Sequence, residues 1–285
     1  MKRGSPSGHA IAATSYHIAM TEPETSTADV HSTAYVDPRA QLGAGVVVGP
    51  GCIIEGPVVV GAGTRLMAYV QLQAPLTLGL NNTVYPFACL GFNPQDRHFG
   101  PEDTGHGVAI GDDNVLRESV TINRGTEAAT RLGSGNYLMA MSHLGHDCAV
   151  GDHNTFANGA MLAGHVHLAD RVNLGGNAGV HQFCRVGRLA MIAGNEGISR
   201  DLPPFCLVRH SRRVCGLNLV GLRRAGLRDH IHPLKRAFTL LYKSGLTTPG
   251  ALQRIETELA DDPLCLELVH FIRASEHGIT SYSDE

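Results

Sequence analysis

Aliphatic side chains recur at every sixth position along most of the chain. One series runs from residue 30 to 90, a short second one from 110 to 122, and a third from 132 to 198. The positions are Val30, Val36, Leu42, Val48, Ile54, Val60, Leu66, Leu72, Leu78, Val84, Leu90, Ile110, Leu116, Ile122, Leu132, Leu138, Leu144, Val150, Phe156, Leu162, Leu168, Leu174, Val180, Val186, Ile192 and Ile198. A spacing of six fits neither the period of a helix, about 3.6, nor that of a strand, about 2. It predicts a short strand followed by a corner.

The residues between these positions support that interpretation. Glycine often follows the aliphatic residue, and the fourth residue after it is usually small or Asn, as at Cys52, Asn114 and Ala160. Gly and Asn tolerate the tight or left-handed backbone of a corner. Three units of six residues make one turn of 18 residues, and turns stack through backbone hydrogen bonds about 4.8 Å apart. The sequence therefore predicts a mainly β fold, a parallel β-helix of about eight to nine turns.

The pattern also divides the chain. Residues 1–27 are rich in Ser, Thr and Ala and predict a disordered N-terminal extension, with a transit peptide or a start at Met20 as alternatives. Residues 28–202 carry the repeat, interrupted by an inserted loop at 91–107. Pro203 and Pro204 are expected to stop the repeat. Four amphipathic segments then predict a smaller α-helical C-terminal domain over residues 203–285.

The composition limits the classes of function that the chain can have. A net charge of -3 and 17% charged residues give no indication of nucleic-acid binding, and no segment is long and apolar enough to predict a membrane span. The seven cysteines form no C-x-x-C pair and favour a reduced, cytoplasmic protein. One run is basic, and it is either a solvated face or a docking surface for an anionic partner. Its arginines are Arg209, Arg212, Arg213, Arg223, Arg224 and Arg228.

Histidines gather where the 18-residue turn brings distant segments together. His146, His165 and His181 follow units that lie one turn apart, so they are predicted to share one edge, with His143 just round the corner. Neutral imidazoles on such an edge would suit zinc, as in γ-class carbonic anhydrases with this type of fold. One imidazole oriented by Asp147 would instead suit a general base. The spacing of the histidines does not decide between a zinc site and a general base. A non-catalytic site for a sugar nucleotide is a third alternative.

Six motifs occur together and in order. "NPQD", "RESVTINRGT", "HLGHDC", "LAGHV", "VHQFC" and "GLNLVGLRR" resemble those of the UDP-N-acetylglucosamine O-acyltransferase family of hexapeptide-repeat acyltransferases, over about residues 28 to 275. The resemblance implies a left-handed β-helix and a homotrimer with each site between two subunits. It also implies transfer of an (R)-3-hydroxyacyl group from acyl carrier protein to the 3-hydroxyl of UDP-N-acetylglucosamine, which starts lipid A synthesis.

The resemblance also implies site residues. His146 matches the general base, Asp147 its partner, and the Gly164 N–H the oxyanion donor. The matched substrate-binding residues are His143, His165 and Gln182 for the sugar nucleotide, His181 near the acyl chain, Gln95 and Asp96 for the sugar in a neighbouring subunit, Asn218 and Arg224 for the nucleotide and its phosphates, and Gly194 for acyl length. No metal or resident cofactor is expected, because the acyl group arrives on the phosphopantetheine of acyl carrier protein.

Four positions depart from the family pattern. His98 stands where a lysine is common, Asn123 where a histidine is usual, Val220 where an acid is expected, and Ala225 follows the second arginine of the usual pair. These changes concern nucleotide affinity more than the catalytic step. They leave open an acceptor with a 3-amino group, which would give an amide in place of an ester.

Overall fold

A computed structural model describes residues 27–100 and 102–283. The predicted N-terminal extension, apart from its last residue, lies outside these described residues. Within them the chain forms 28 strands and four helices.

The strands are short and evenly spaced. In chain order they are β1 (Asp29–Val30), β2 (Tyr35–Val36), β3 (Gln41–Leu42), β4 (Val47–Val48), β5 (Ile53–Glu55), β6 (Val59–Val60), β7 (Arg65–Leu66), β8 (Gln71–Gln73), β9 (Leu76–Leu78), β10 (Thr83–Val84), β11 (Cys89–Phe92), β12 (Val108–Ile110), β13 (Val115–Leu116), β14 (Thr121–Asn123), β15 (Thr130–Leu132), β16 (Tyr137–Leu138), β17 (His143–Leu144), β18 (Ala149–Val150), β19 (Thr155–Phe156), β20 (Met161–Leu162), β21 (His167–Leu168), β22 (Asn173–Leu174), β23 (Gly179–Val180), β24 (Arg185–Val186), β25 (Met191–Ile192), β26 (Gly197–Ile198), β27 (Cys206–Val208) and β28 (Val214–Leu217).

Every third strand pairs in parallel to build three flat faces. Face A holds β1, β4, β7 and so on to β25 and β27, face B runs from β2 to β26, and face C runs from β3 to β24. Leu144 pairs with Leu162, and Leu162 with Val180, each one turn of 18 residues further along. The parallel β-solenoid predicted by the six-residue period is therefore confirmed, with about 10 turns where eight to nine were expected.

The repeated aliphatic side chains point inward and form one continuous core, in which Leu144, Phe156 and Leu162 have no exposed surface. Asparagines form a second repeated feature inside one corner. Asn114 Oδ1 accepts from the backbone N–H of Asn136 at 2.9 Å and from its Nδ2 at 3.0 Å, and Asn82 and Asn154 continue the pattern on either side. This asparagine ladder satisfies polar groups that the apolar core cannot.

The prolines do not end the solenoid, contrary to the sequence prediction. After Pro203 and Pro204, strand β27 pairs in parallel with β25, so that Met191 lies opposite Leu207. Both prolines sit at a corner, where Leu202 and Phe205 on either side supply the backbone N–H groups that bond to the preceding turn. A corner position does not need the N–H that proline lacks. Strand β28 then pairs antiparallel with β27.

The helices follow where the amphipathic segments predicted them. They are α1 (Leu219–Arg224), α2 (Ile231–Tyr242), α3 (Thr248–Glu258) and α4 (Pro263–Arg273). Asp262 caps α4 by accepting from the N–H groups of Leu264 and Cys265 at 2.9 and 3.1 Å. The helices share a second apolar core with Phe205 of the last solenoid turn. Of the described helices, none has the length and apolar character to cross a membrane.

Candidate active site

The His–Asp pair occupies the corner between β17 on face B and β18 on face C. His146 Nδ1 lies 2.7 Å from Asp147 Oδ2, and the imidazole is 12% exposed whereas the carboxylate side chain is 3% exposed. Because Asp147 binds Nδ1, the other ring nitrogen, Nε2, is left for a ligand. The arrangement suits a base whose orientation a buried carboxylate fixes.

A four-residue interruption of the repeat encloses that carboxylate. Residues 125–128, called here the carboxylate-binding loop, separate β14 from β15. Asp147 Oδ1 accepts from the N–H groups of Glu127 at 2.8 Å and Ala128 at 2.7 Å, and Oδ2 accepts from the N–H and hydroxyl of Thr126 at 2.9 and 2.7 Å. Burial opposes ionisation, but these donors and His146 outweigh it and hold the pKa of Asp147 well below its usual range. Asp147 is therefore ionised at neutral pH.

Three residues at equivalent corners stack along the solenoid axis. Asp147, His165 and Phe183 all have left-handed backbones, with φ of 61°, 59° and 66°. His165 Nε2 lies 3.6 Å from Asp147 Oδ2, and its ring meets that of His146 edge-on with centroids 5.1 Å apart. Phe183, rather than His181, covers the other face of His165 at 4.7 Å. The predicted edge therefore joins two histidines, an aspartate and a phenylalanine.

His143 lies beside the pair on face B. Its Nδ1 is 2.7 Å from the hydroxyl of Thr121, the residue directly opposite it on β14. Burial, and then the charge that His146 can carry, lower the pKa of His143 below its usual value. A neutral His143 suits a hydrogen-bonding role toward an uncharged group.

Gly164 lies one turn beyond His146 and leaves room for its ring. A Cβ at position 164 would come within 2.6 Å of His146 Nε2 and Cε1. Among the hydrogen bonds of the described residues, the Gly164 N–H has no acceptor, whereas its carbonyl accepts from Phe183 N–H at 3.2 Å. An unpaired backbone donor thus lies close to the exposed nitrogen of the imidazole, as an oxyanion hole requires.

The donor atoms do not form a good metal site. His146, Asp147 and His165 offer one ligand atom each, all within 4.8 Å of one another. Both oxygens of Asp147, however, already accept hydrogen bonds from the carboxylate-binding loop, and Oδ2 also binds His146. A cation would have to displace these donors, so the chemistry of the donor set favours the general-base alternative.

The inserted loop is fixed by residues just before the carboxylate-binding loop. Arg124 bonds to the carbonyls of Gly91 and Thr104 at 2.8 and 3.0 Å and to Gln73 Oε1 at 2.8 Å. Asn123, one of the departures from the family pattern, donates from Nδ2 to Asn93 O at 2.9 Å. The loop is therefore tied to the turn that carries the candidate base.

The inserted loop carries two further site candidates, Gln95 and Asp96. Asp96 lines an open cavity of about 480 Å³ together with Thr126 and Glu127 of the carboxylate-binding loop, and Gln95 is exposed. Within the described residues of this one chain, neither Gln95 nor Asp96 forms a hydrogen bond with His146. Their role at a different copy's site stays a prediction.

The remaining candidates are spread along the solenoid. Gln182 and His181 are exposed at the same corner one turn past Gly164, whereas Gly194 lies at the corner between faces A and B. Asn218 caps α1, accepting from Gly221 N–H and donating to Leu189 O, both at 2.9 Å, so its amide is used within the chain. Arg224 is exposed in the last turn of α1. Their substrate contacts stay predictions.

The sequence interpretation missed three threonines. Thr126 donates to Asp147, Thr130 Oγ1 accepts from the Asp147 N–H at 2.8 Å, and Thr121 contacts His143. The signal was available, because Ile122 and Leu132 are ten positions apart where six are expected. The four extra residues had to loop out of the regular turn. The sequence did not predict that they would turn toward Asp147.

Fold and site together are those of a hexapeptide-repeat acyltransferase. Residues 201–280 match the family model described as UDP N-acetylglucosamine O-acyltransferase, domain 2. The chain is 43% identical to the acyl-[acyl-carrier-protein]--UDP-N-acetylglucosamine O-acyltransferase of Herminiimonas arsenicoxydans, covering 88% of this chain and 98% of the relative. It is 47% identical to the protein of the same name from Alkalilimnicola ehrlichii, covering 86% and 96%.

A solved structure agrees. LpxA from Acinetobacter baumannii superposes with a TM-score of 0.83 at 39% identity, covering 88% of this chain and 99% of that one. The chain therefore belongs to the UDP-N-acetylglucosamine O-acyltransferase family. This membership confirms the family resemblance of the motifs and supports the left-handed β-helix that it implied.

Proposed function

We propose that the protein moves an (R)-3-hydroxyacyl group from acyl carrier protein to the 3-hydroxyl of UDP-N-acetylglucosamine, the first step of lipid A synthesis. Membership of the family carries the reaction type. The observation that carries the mechanism is the 2.7 Å contact between His146 Nδ1 and Asp147 Oδ2, which leaves Nε2 free beside Gly164, a residue whose N–H has no acceptor among the described residues.

The chemistry begins with proton transfer to His146. Nε2 takes the proton of the sugar 3-hydroxyl while that oxygen bonds to the carbonyl carbon of the acyl thioester. The positive charge that forms on the imidazole is balanced by Asp147, which stays ionised. The carbonyl oxygen becomes an oxyanion, and the Gly164 N–H stabilises it.

The intermediate then collapses. The carbon–sulfur bond breaks, the ester remains on the sugar, and the imidazolium returns its proton to the departing thiolate of phosphopantetheine. The acyl group is thus supplied by acyl carrier protein, and no resident cofactor takes part. His143, held neutral by burial beside Thr121, is suited to bind the sugar nucleotide through a hydrogen bond.

The protein partner is proposed to dock on the basic run at the solenoid's C-terminal end. Arg209, Arg212 and Arg213 are exposed in the loop between β27 and β28, and Arg223 and Arg224 are exposed on α1. None of these side chains forms an ion pair with another described residue. Acyl carrier protein is acidic, so opposite charges would accelerate its encounter with this surface.

We also propose a homotrimer, in a cytoplasmic setting, because the family resemblance implies a site between two subunits. In that arrangement Gln95 and Asp96 of a neighbouring copy would bind the sugar. Light scattering checks this part, because a monomer at assay concentration would contradict it. The free, mostly buried cysteines are compatible with a reducing compartment.

The decisive test is acyl transfer by His146→Ala. With (R)-3-hydroxyacyl carrier protein and UDP-N-acetylglucosamine, kcat should fall by about 10³-fold while nucleotide affinity changes by less than about threefold. His232→Ala, an exposed histidine on α2, serves as the control and should keep full activity. Equal turnover by wild type and His146→Ala would refute the base.

Two alternative functions remain to be tested, an N-acyltransferase and a zinc-dependent hydratase. A 3-amino acceptor tested in parallel shows by mass spectrometry whether the product is an ester or an amide. A zinc-dependent hydratase would require bound metal, which elemental analysis and chelator treatment reveal. The engaged oxygens of Asp147 favour activity that is insensitive to chelators.

A further inference from the structure

Thr126 shares one carboxylate oxygen with the imidazole of His146. The Thr126 hydroxyl donates to Asp147 Oδ2 at 2.7 Å, and His146 Nδ1 lies 2.7 Å from the same atom. The other oxygen, Oδ1, accepts from the N–H groups of Glu127 and Ala128. The Thr126 N–H reaches both oxygens, at 3.0 Å from Oδ1 and 2.9 Å from Oδ2, but only Oδ2 connects the loop hydroxyl to the ring.

We propose that Thr126 is a positioning residue that tunes the proton affinity of His146 through this shared oxygen. A hydrogen bond to a carboxylate stabilises its negative charge and weakens what remains for a second donor. The Thr126 hydroxyl therefore reduces the hold of Asp147 on the imidazolium. Removing the hydroxyl should therefore strengthen the contact between Asp147 and the imidazolium and favour the protonated ring. The inference rests on the proposed function.

The loop does not depend on this hydroxyl for its shape. The N–H groups of Thr126, Glu127 and Ala128 all bond to Asp147, and the Gly125 N–H bonds to the Gly107 carbonyl at 3.2 Å. Four backbone contacts therefore remain when the hydroxyl is removed. Valine has nearly the same shape as threonine, so Thr126→Val takes away one donor and leaves the loop anchored.

The other charged and titratable groups around the ring are few. On the same corner and face, Asp147 binds Nδ1 and His143 lies close enough for its charge state to interact. One turn further, His165 contacts the ring edge and Oδ2. One turn before, Arg124 turns its guanidinium toward Gly91, Thr104 and Gln73. None of these groups is altered by Thr126→Val, so a changed titration is traceable to Oδ2.

Kinetics as a function of pH test the inference, with Thr126→Ser as the matched variant because it keeps the hydroxyl. The acid limb of kcat for Thr126→Val should move to higher pH, giving about a threefold or greater loss of kcat on that limb. Thr126→Ser should restore the wild-type profile, and the KM for the nucleotide should stay unchanged in both. A defect shared equally by the serine and valine variants would indicate only a structural role and overturn the proposal.

A second measurement is independent of acyl transfer. The ring signal of His146, assigned in NMR spectra by its loss in His146→Ala, should titrate at higher pH in Thr126→Val than in wild type and Thr126→Ser. Identical titrations in all three proteins would overturn the inference even if the enzyme is active. A shifted titration in a protein without acyl transfer would keep the inference about the ring and refute the proposed reaction.

Discussion

The imidazole of His146 packs over Gly164, one turn further along the solenoid, so closely that a methyl group on Gly164 would reach within 2.6 Å of Nε2. The backbone of Gly164 does not have a positive φ, in contrast to glycines such as Gly159. Position 164 is therefore glycine because of the neighbouring ring, and its conformation would accept a side chain.

Gly164→Ala should consequently damage catalysis more than folding. The added methyl pushes the imidazole away from the acceptor hydroxyl, and a displacement of about 1 Å lowers kcat by about 10²-fold. Gly216→Ala on β28 is the control, because a Cβ there meets no atom within 4 Å. Steady-state kinetics with thermal unfolding of both variants check this. Wild-type kcat in Gly164→Ala would show that the ring does not act from its observed position.

Asp147 makes stability depend on pH. Its pKa is depressed in the folded chain and returns to about 3.8 on unfolding, so its contribution is complete above that pH and is lost as pH falls through the folded value. Burial lowers the pKa of His143 below its usual value of 6.5, so protonation favours the unfolded chain and stability falls as the pH drops through that value. Denaturant unfolding between about pH 7 and 2 should show the His143 loss first and the Asp147 loss below about pH 3.8.

Asp147→Asn should abolish the loss of stability that occurs at the lower pH. Its amide places an N–H against the donors of the carboxylate-binding loop, which costs about 3 kcal/mol of unfolding free energy at neutral pH. Asp113→Asn is the matched control, because Asp113 is exposed at a left-handed corner with φ of 54°. An Asp147→Asn protein as stable as wild type at neutral pH would contradict the hydrogen-bond count.

The basic run should govern recognition of the carrier protein. Arg212→Glu combined with Arg213→Glu is expected to raise the KM for acyl carrier protein by about tenfold and leave the KM for the nucleotide unchanged. The effect should shrink as salt is added, because exposed charges are screened. Lys235→Glu, an exposed lysine on α2 outside the run, provides the control. An unchanged carrier-protein KM would refute docking at this surface.

The asparagine ladder should matter for stability alone. Asn114→Ala removes the acceptor of the backbone N–H of buried Asn136 and leaves its Nδ2 with only the 3.3 Å contact to Ser134 O, at a cost of about 3 kcal/mol in unfolding free energy. Asn173→Ala, on the outer side of face A, should cost less than about 0.5 kcal/mol. Denaturant melts compare them. Similar losses in both variants would mean that the ladder adds nothing beyond ordinary packing.

The six-residue period predicted most of the architecture, because every unit has to place an aliphatic side chain in the core. Each aliphatic position needs an inward side chain, so the pairing of Leu144 with Leu162 and the meeting of His146 with His165 followed from counting turns. The prediction that Pro203 and Pro204 end the repeat was wrong, because proline disrupts a strand but fits a corner. Strand β27 therefore continued the solenoid past the predicted boundary.

The details of the site were less predictable, because they depend on segments without a period. The extra residues before β15 carry Thr126 to Asp147, yet nothing in their composition specifies that direction. Phe183 covers His165 because both take the third position of their corners, whereas His181 comes two positions earlier. The amide of Asn218, whose nucleotide contact stays a prediction, also caps α1, which the sequence interpretation did not foresee. Local hydrogen bonding decided these outcomes.

Strand β28 has a consequence for how copies of this chain associate. Parallel turns could in principle be added without limit, since each offers its backbone groups to the next. Because β28 runs against β27 and helices cover the last turn, a second molecule cannot continue the stack at that end. Growth into a fibre is therefore blocked at that end.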